Sequence, residues 1–211
     1  MSVISSYRLG DLVFLSLNIQ EIIELLNDHP NSIGALYIHE LKKNPYQNRI
    51  ELIKNIVIYK LNETYLLFPD DLKNSTLIHL RLGDVVSGNH SHELSKKPFT
   101  IDTLKEIVPI NDKIYIIGKC FFAKTSSNNY EECIEKSNEY LNDVILNFNG
   151  NYLDMGNADM DLLAGIICKT FIQGKGYFSK LILEIRKLLN KTSIESYKLS
   201  PDVINGEFVH F

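Results

Sequence analysis

Four short stretches hold the residue types from which a binding or catalytic site is built: "IHLRLGD" (78–84), "NHSHE" (89–93), "GNADMD" (156–161) and "QGKGYFSK" (173–180). In the first, His79 and Arg81 are two residues apart, so an extended strand turns both to one face, with Leu80 and Leu82 on the other. Arginine near the carboxyl end of a strand suits a diphosphate, because its planar fork donates two parallel hydrogen bonds and keeps its charge. The same guanidinium could instead pair with a structural carboxylate such as Asp84. In the last stretch, Gly174 and Gly176 permit a tight turn and close backbone approach. Tyr177, Phe178 and Ser179 then open a helix whose free N–H groups favour an anion. The stretch is neither a P-loop nor GxGxxG, since the third glycine position holds Ser179. It reads equally as a phosphate cradle or as an ordinary strand-to-helix turn.

The other two stretches are less specific. Asn157, Asp159 and Asp161 stand where a helix begins, and Asx residues there act as caps or complement the dipole. Asp159 and Asp161 are spaced i, i+2 and do not face each other on a helix, so no shared cation is expected. His90, His92 and Glu93 form an HxH loop with no second half of a metal site in view.

These residues need elements to hold them. Apolar residues at helical spacing run from Asp11 to Asn27, then through "SIGALYIHELKKN" and "QNRIELIKNIVIYKLNE", although "NIVIYKL" also reads as a strand. From residue 76 onward, strands (76–82, 113–119, 151–155, 170–173) alternate with helices ("TIDTLKEIV" capped by Thr100, "NYEECIEKSNEYLNDVI", 159–168, 177–190). Four such alternations predict an α/β fold: a Rossmann-like parallel sheet of about four strands with helices on both faces. The expected organisation is a mainly helical N-terminal part (1–70), a Rossmann-like domain (71–190) and a tail (191–211) packing on the core. RLGD occurs twice, at 8–11 and 81–84. The first precedes a helix with Asp11 as its expected cap, the second ends a strand, and the flanking residues differ, so there is no internal repeat.

At 211 residues and 45% apolar composition, the chain can bury a sizeable core. A net charge of −4 without a basic run argues against a nucleic-acid partner. No signal-like leader or apolar run of membrane length is visible, so a soluble, cytoplasmic protein without a membrane span is expected. Cys120, Cys133 and Cys168 lack a CxxC pattern and read as buried thiols.

"IHLRLGD" resembles the HxRxGD segment of fucosyltransferase-like glycosyltransferases of the GT-B fold. "ADMDLLAGIICKTFIQGKGYFSKLILEI" is similar to their later stretch, in which an acidic-apolar helix leads to a strand and a small-residue, aromatic, Ser turn. The resemblance covers about residues 76–190. It implies a nucleotide-sugar donor of the GDP-fucose type, no further cofactor, and metal-independent transfer to an unknown glycan or protein acceptor. By position, Arg81 would bind the donor diphosphate, with His79 and Asp84 shaping the site. Gly174, Gly176, Phe178 and Ser179 would lie at the phosphates or sugar, and Asp159 and Asp161 would hold the loop or meet the nucleoside. Rossmann geometry, rather than the motif, places Gly118 and Lys119 near the base. Asp84, His90, Glu93 and, more distantly, Asp11 are the candidate bases. The chain departs from that family in its short N-terminal half and in Leu82, which stands where a second Arg is common. A catalytically inactive binding or structural protein with the same core is the alternative.

Overall fold

The computed structural model describes residues 9–14, 19–86, 98–121 and 130–195. Four helices come first: α1 (Leu9–Phe14), α2 (Ile19–Asp28), α3 (Ile33–Lys43) and α4 (Arg49–Thr64), followed by a 3₁₀ turn at Tyr65–Leu67. Their starts follow capping chemistry: Ser32 accepts from the Ala35 N–H, and Asn48 accepts from the N–H groups of Ile50 and Glu51. The stretch 55–61 is helical, because Ile53 and Val57 fall on the buried face of one continuous helix. Asp11 lies in the first turn of α1 rather than at its cap. It is Gly10 that fixes this helix, since a Cβ there would lie 2.4 Å from the Tyr177 carbonyl carbon.

The remainder is a parallel sheet with its connecting helices. Strands β1 (Thr76–His79), β3 (Ile114–Ile117), β5 (Asn151–Tyr152), β6 (Thr170–Ile172) and β7 (Ser193–Ile194) lie side by side as β5-β3-β1-β6-β7. Every neighbouring pair is parallel, with Ile78 opposite both Ile116 and Ile172. In order of appearance the strands therefore run 3-2-1-4-5, the doubly wound arrangement. The first and second strands stop earlier than their apolar runs suggest. Beyond them the chain pairs again as a small parallel ribbon of β2 (Leu82–Gly83) and β4 (Cys120–Phe121).

Alternation along the strands divides the core in two. Ile78, Ile114, Ile116 and Ile172 meet α5 (Ile101–Ile107) and α6 (Tyr130–Phe148) through Leu104, Leu141 and Val144. On the opposite face Leu77, Tyr115, Ile117 and Phe171 meet α7 (Ala158–Ile167) and α8 (Tyr177–Leu188), and beyond those helices α1, α3 and α4. The N-terminal helices thus share one core with the sheet. All residues of β1 and β6 are buried, as central strands covered on both faces must be.

The expectation of about four strands is exceeded by β7, which pairs beside β6 where the sequence shows no period. Two residues are too few to carry one. Arg186, fully buried, holds that edge. It donates to the carbonyls of Gly165, Cys168, Lys169 and Thr192 and to Ser193 Oγ, closing the end of α7 and the approach to β7. Residues 196–211 of the expected tail lie outside the described residues. The three cysteines are buried thiols. Among the described residues no helix is long and apolar enough to cross a membrane.

Candidate functional site at the carboxyl edge of the sheet

In this strand order the chain reverses direction across the sheet between β1 and β6, and the connections from those two strands leave to opposite sides. In doubly wound sheets the ligand crevice lies at the carboxyl ends of two such strands. Both motif stretches end there: His79 closes β1, and the turn Gln173–Gly176 follows β6.

The turn packs directly on β1. A Cβ on Gly174 would lie 2.2 Å from His79 Nδ1 and 2.4 Å from the His79 carbonyl oxygen, so no side chain fits. The Ser179 hydroxyl, itself buried, donates back to the carbonyl of Gly174 (2.7 Å), with that of Gly176 at 3.1 Å. Ser179 therefore holds the turn in shape. Gly176 has φ +101°, a conformation open to glycine, and it precedes α8 with no side chain closing the helix end. By contrast α5 is capped by Thr100 and α7 by Asn157, each accepting from an N–H of the first turn. Of these three helices, α8 alone presents uncapped N–H groups to the crevice.

Arg81 reaches this helix end. Its Nη1 lies 3.8 Å from where a Gly176 Cβ would stand, and its Nη2 lies 3.4 Å from Asp84 Oδ1. Arg81 thus makes a long contact to a buried carboxylate and stands beside the start of α8. The His79 ring lies against Phe178 (centroids 5.6 Å apart), with Nδ1 buried and without a hydrogen-bond partner. Burial, and then the neighbouring Arg81 charge, lower its pKa to about 3. The imidazole is therefore neutral and a weak base, fitted to shape the crevice rather than to take a proton.

A second group of residues sits across β1, beyond β3 and β5. Lys119 Nζ pairs with Asp154 (2.8 Å), and the Tyr152 hydroxyl donates to the Gly118 carbonyl (2.8 Å). Asp161, on the first turn of α7, is 4% exposed, and its Oδ1 has no hydrogen-bond partner. Burial raises its pKa to about 7 against the pull of Lys119. Asp159 turns the other way, accepting from the Ile33 N–H (2.8 Å) at the start of α3, and burial raises its pKa to about 6. Its part in the architecture is to fasten α7 to the N-terminal helices.

The fold therefore gathers Arg81, Asp84, His79, Gly174, Gly176, Phe178 and Ser179 at the β1/β6 junction. Gly118, Lys119 and Asp161 stand beside β3, and Asp159 is directed away to α3. His90, His92 and Glu93 lie outside the described residues. Sequence reasoning passed over Lys175, whose ammonium lies 5.9 Å over the Phe99 ring and links the turn after β6 to the segment before α5. It also left out Asp154 and Tyr152, whose signal was their place at the end of a strand. The first RLGD contributes through Gly10: α1 packs on the opening of α8, with Phe14 and Tyr177 rings 5.8 Å apart.

No protein-family model, no curated protein and no solved structure matches this chain.

Proposed function

We propose that this protein binds a nucleotide-sugar of the GDP-fucose type at the β1/β6 junction and transfers the sugar to an acceptor. The observation that carries the reading is the Arg81 guanidinium beside the uncapped start of α8, at the point where the strand order reverses. A diphosphate there would accept from Arg81 and from the first N–H groups of α8, which are fixed in place before it arrives. As the bond between the anomeric carbon and the diphosphate oxygen breaks, negative charge gathers on the leaving phosphate. Donors aimed at that oxygen stabilise the transition state more than the ground state. Lys119 and Asp161, beyond the neighbouring strand, stand where the nucleoside would extend.

The test is binding followed by turnover. GDP, UDP and dTDP and their sugars are titrated by calorimetry, and release of nucleoside diphosphate is then followed with a panel of glycan and peptide acceptors. Binding of a diphosphate that depends on Arg81, with turnover in the presence of an acceptor, is the expected result. Failure of every nucleotide to bind removes the reading. A binding protein without transferase activity is the second reading, favoured by the two candidate groups that are already engaged: His79 is buried and neutral, and Asp84 is paired with Arg81. Binding without turnover selects it.

A further inference from the structure

Helix α4 and the 3₁₀ turn after it carry apolar residues on two faces. One face, Leu52, Ile53, Ile56 and Val57, is buried in the core. On the other, Ile58, Tyr65 and Leu66 stand at i, i+7 and i+8, the spacing of a single helical stripe. Tyr59 and Leu67 flank it. This second stripe is open: Leu66 is 94% exposed, Leu67 63%, Tyr59 58% and Tyr65 46%. With Ile58, these side chains expose on the order of 600 Å² in one strip, at the upper end of what a monomer carries. Adding the polar rim of Asn62, Glu63 and Lys73 brings the face close to the about 800 Å² per partner of a stable protein interface.

Beside the strip is a hole. Leu61, Tyr65, Ile166, Ile167 and Leu189 line an open, mainly apolar pocket of about 330 Å³, with Asn62, Lys73 and Lys191 as its polar lining. Tyr65 belongs to both, so a protrusion (Leu66, Leu67) and a depression stand side by side on one patch. A two-fold axis through a patch requires that residue i meet j while j meets i, and neighbouring knob and hole satisfy that condition.

We propose that this face is the interface of a two-fold homodimer, in which Leu66 and Leu67 of each copy fill the pocket beneath Tyr65 of the other. The carboxyl-edge crevice takes no part in it, so both sites stay open in the dimer.

Sedimentation equilibrium of the full chain from about 1 to 100 µM tests the proposal. The expected result is a reversible approach to twice the 24.2 kDa chain mass. Leu66→Glu and Leu67→Glu, both at exposed positions, should each weaken association at least tenfold while leaving the melting temperature of dilute protein unchanged. Leu146→Glu, at a leucine on α6 whose exposure lies between those of Leu66 and Leu67, should leave association as it was. A monomer throughout the range overturns the proposal, including the case in which another protein covers the strip. So does a dimer indifferent to Leu66→Glu, or one dissociated as readily by Leu146→Glu.

Discussion

The Arg81 guanidinium stands over Gly176, with Nη1 3.8 Å from the point a Cβ on that glycine would occupy. The two residues are 95 positions apart in the chain, and β1 and β6 bring them together as neighbours in the sheet. Strand pairing thus joins a permanent positive charge to an open helix N-terminus.

Arg81→Ala should remove most of the affinity for a nucleoside diphosphate, on the order of 100-fold, since charge-assisted hydrogen bonds contribute about 1.5–3 kcal/mol each. Arg81→Lys keeps the charge but loses the fork and should fall between the two. The alanine variant also leaves Asp84, 5% exposed, without that guanidinium, so a stability loss of about 1–2 kcal/mol accompanies it. Calorimetric titration paired with a melting curve separates the effects. Equal affinity in the folded alanine variant refutes the placement of the anion.

Gly174 and Gly176 should respond differently to alanine. At Gly174 the new Cβ would strike the His79 ring and carbonyl at 2.2 and 2.4 Å, so the β1/β6 junction must shift, at about 3 kcal/mol. At Gly176 the added atom meets Arg81 at an ordinary 3.8 Å, and the cost is that of a backbone, φ +101° and ψ 168°, essentially confined to glycine, about 1–3 kcal/mol. Thermal melts should rank Gly174→Ala below Gly176→Ala, and the reverse order contradicts the packing described.

Asp161 and His79 make opposed contributions to the pH dependence of stability. Asp161 has its pKa raised from 3.8 to about 7, so between those values the native state holds a proton that the unfolded chain has lost. Its contribution therefore declines as pH rises through that window. His79 is lowered from 6.5 to about 3, so there the unfolded chain holds the extra proton, and stability declines as pH falls through that window. Asp161→Asn should accordingly match the wild type near pH 4 and exceed it at pH 8 by up to ~4 kcal/mol. Denaturant melts at the two pH values measure this. An asparagine variant less stable than wild type at pH 8 would show that the carboxylate is held by compensating partners.

Arg186→Met should cost at least ~3 kcal/mol, because five acceptors, the Gly165 and Cys168 carbonyls among them fully buried, lose their donor together. Hydrogen exchange should show faster opening at the N–H groups of Phe171 and Gln173, which bond to Thr192 and Ile194. Arg186→Lys should not restore them, since one ammonium cannot reach carbonyls of both α7 and the β7 approach. Unchanged protection at Gln173 would mean that β7 is held independently.

What was legible in the sequence follows local rules. Ser32, Asn48, Thr100 and Asn157 declare helix starts because a cap acts within three residues. The strands β1, β3 and β6 declare themselves because central parallel strands are buried on both faces and therefore mainly apolar. The stretch Ser193–Ile194 gave no signal, since its place depends on Arg186 and on the edge of β6, both distant in sequence. Asp159 and Asp161 read alike as helix-start acids, yet one fastens α3 and the other is buried beside Lys119. Two residues of helix rotate them by about 200°, to different neighbours.

The sequence by itself determined the alternation of strand and helix, the glycine turn after β6, and the placing of His79 and Arg81 at the end of a strand, because periodicity, capping and turn chemistry act over a few residues. The tertiary structure decided the strand order, and with it that Arg81 meets the start of α8, that His79 is buried and neutral, and that Gly10 of the first RLGD packs on Tyr177. Those relationships depend on which strands become neighbours and which helices cover them, and that is settled by burial of the whole apolar surface at once.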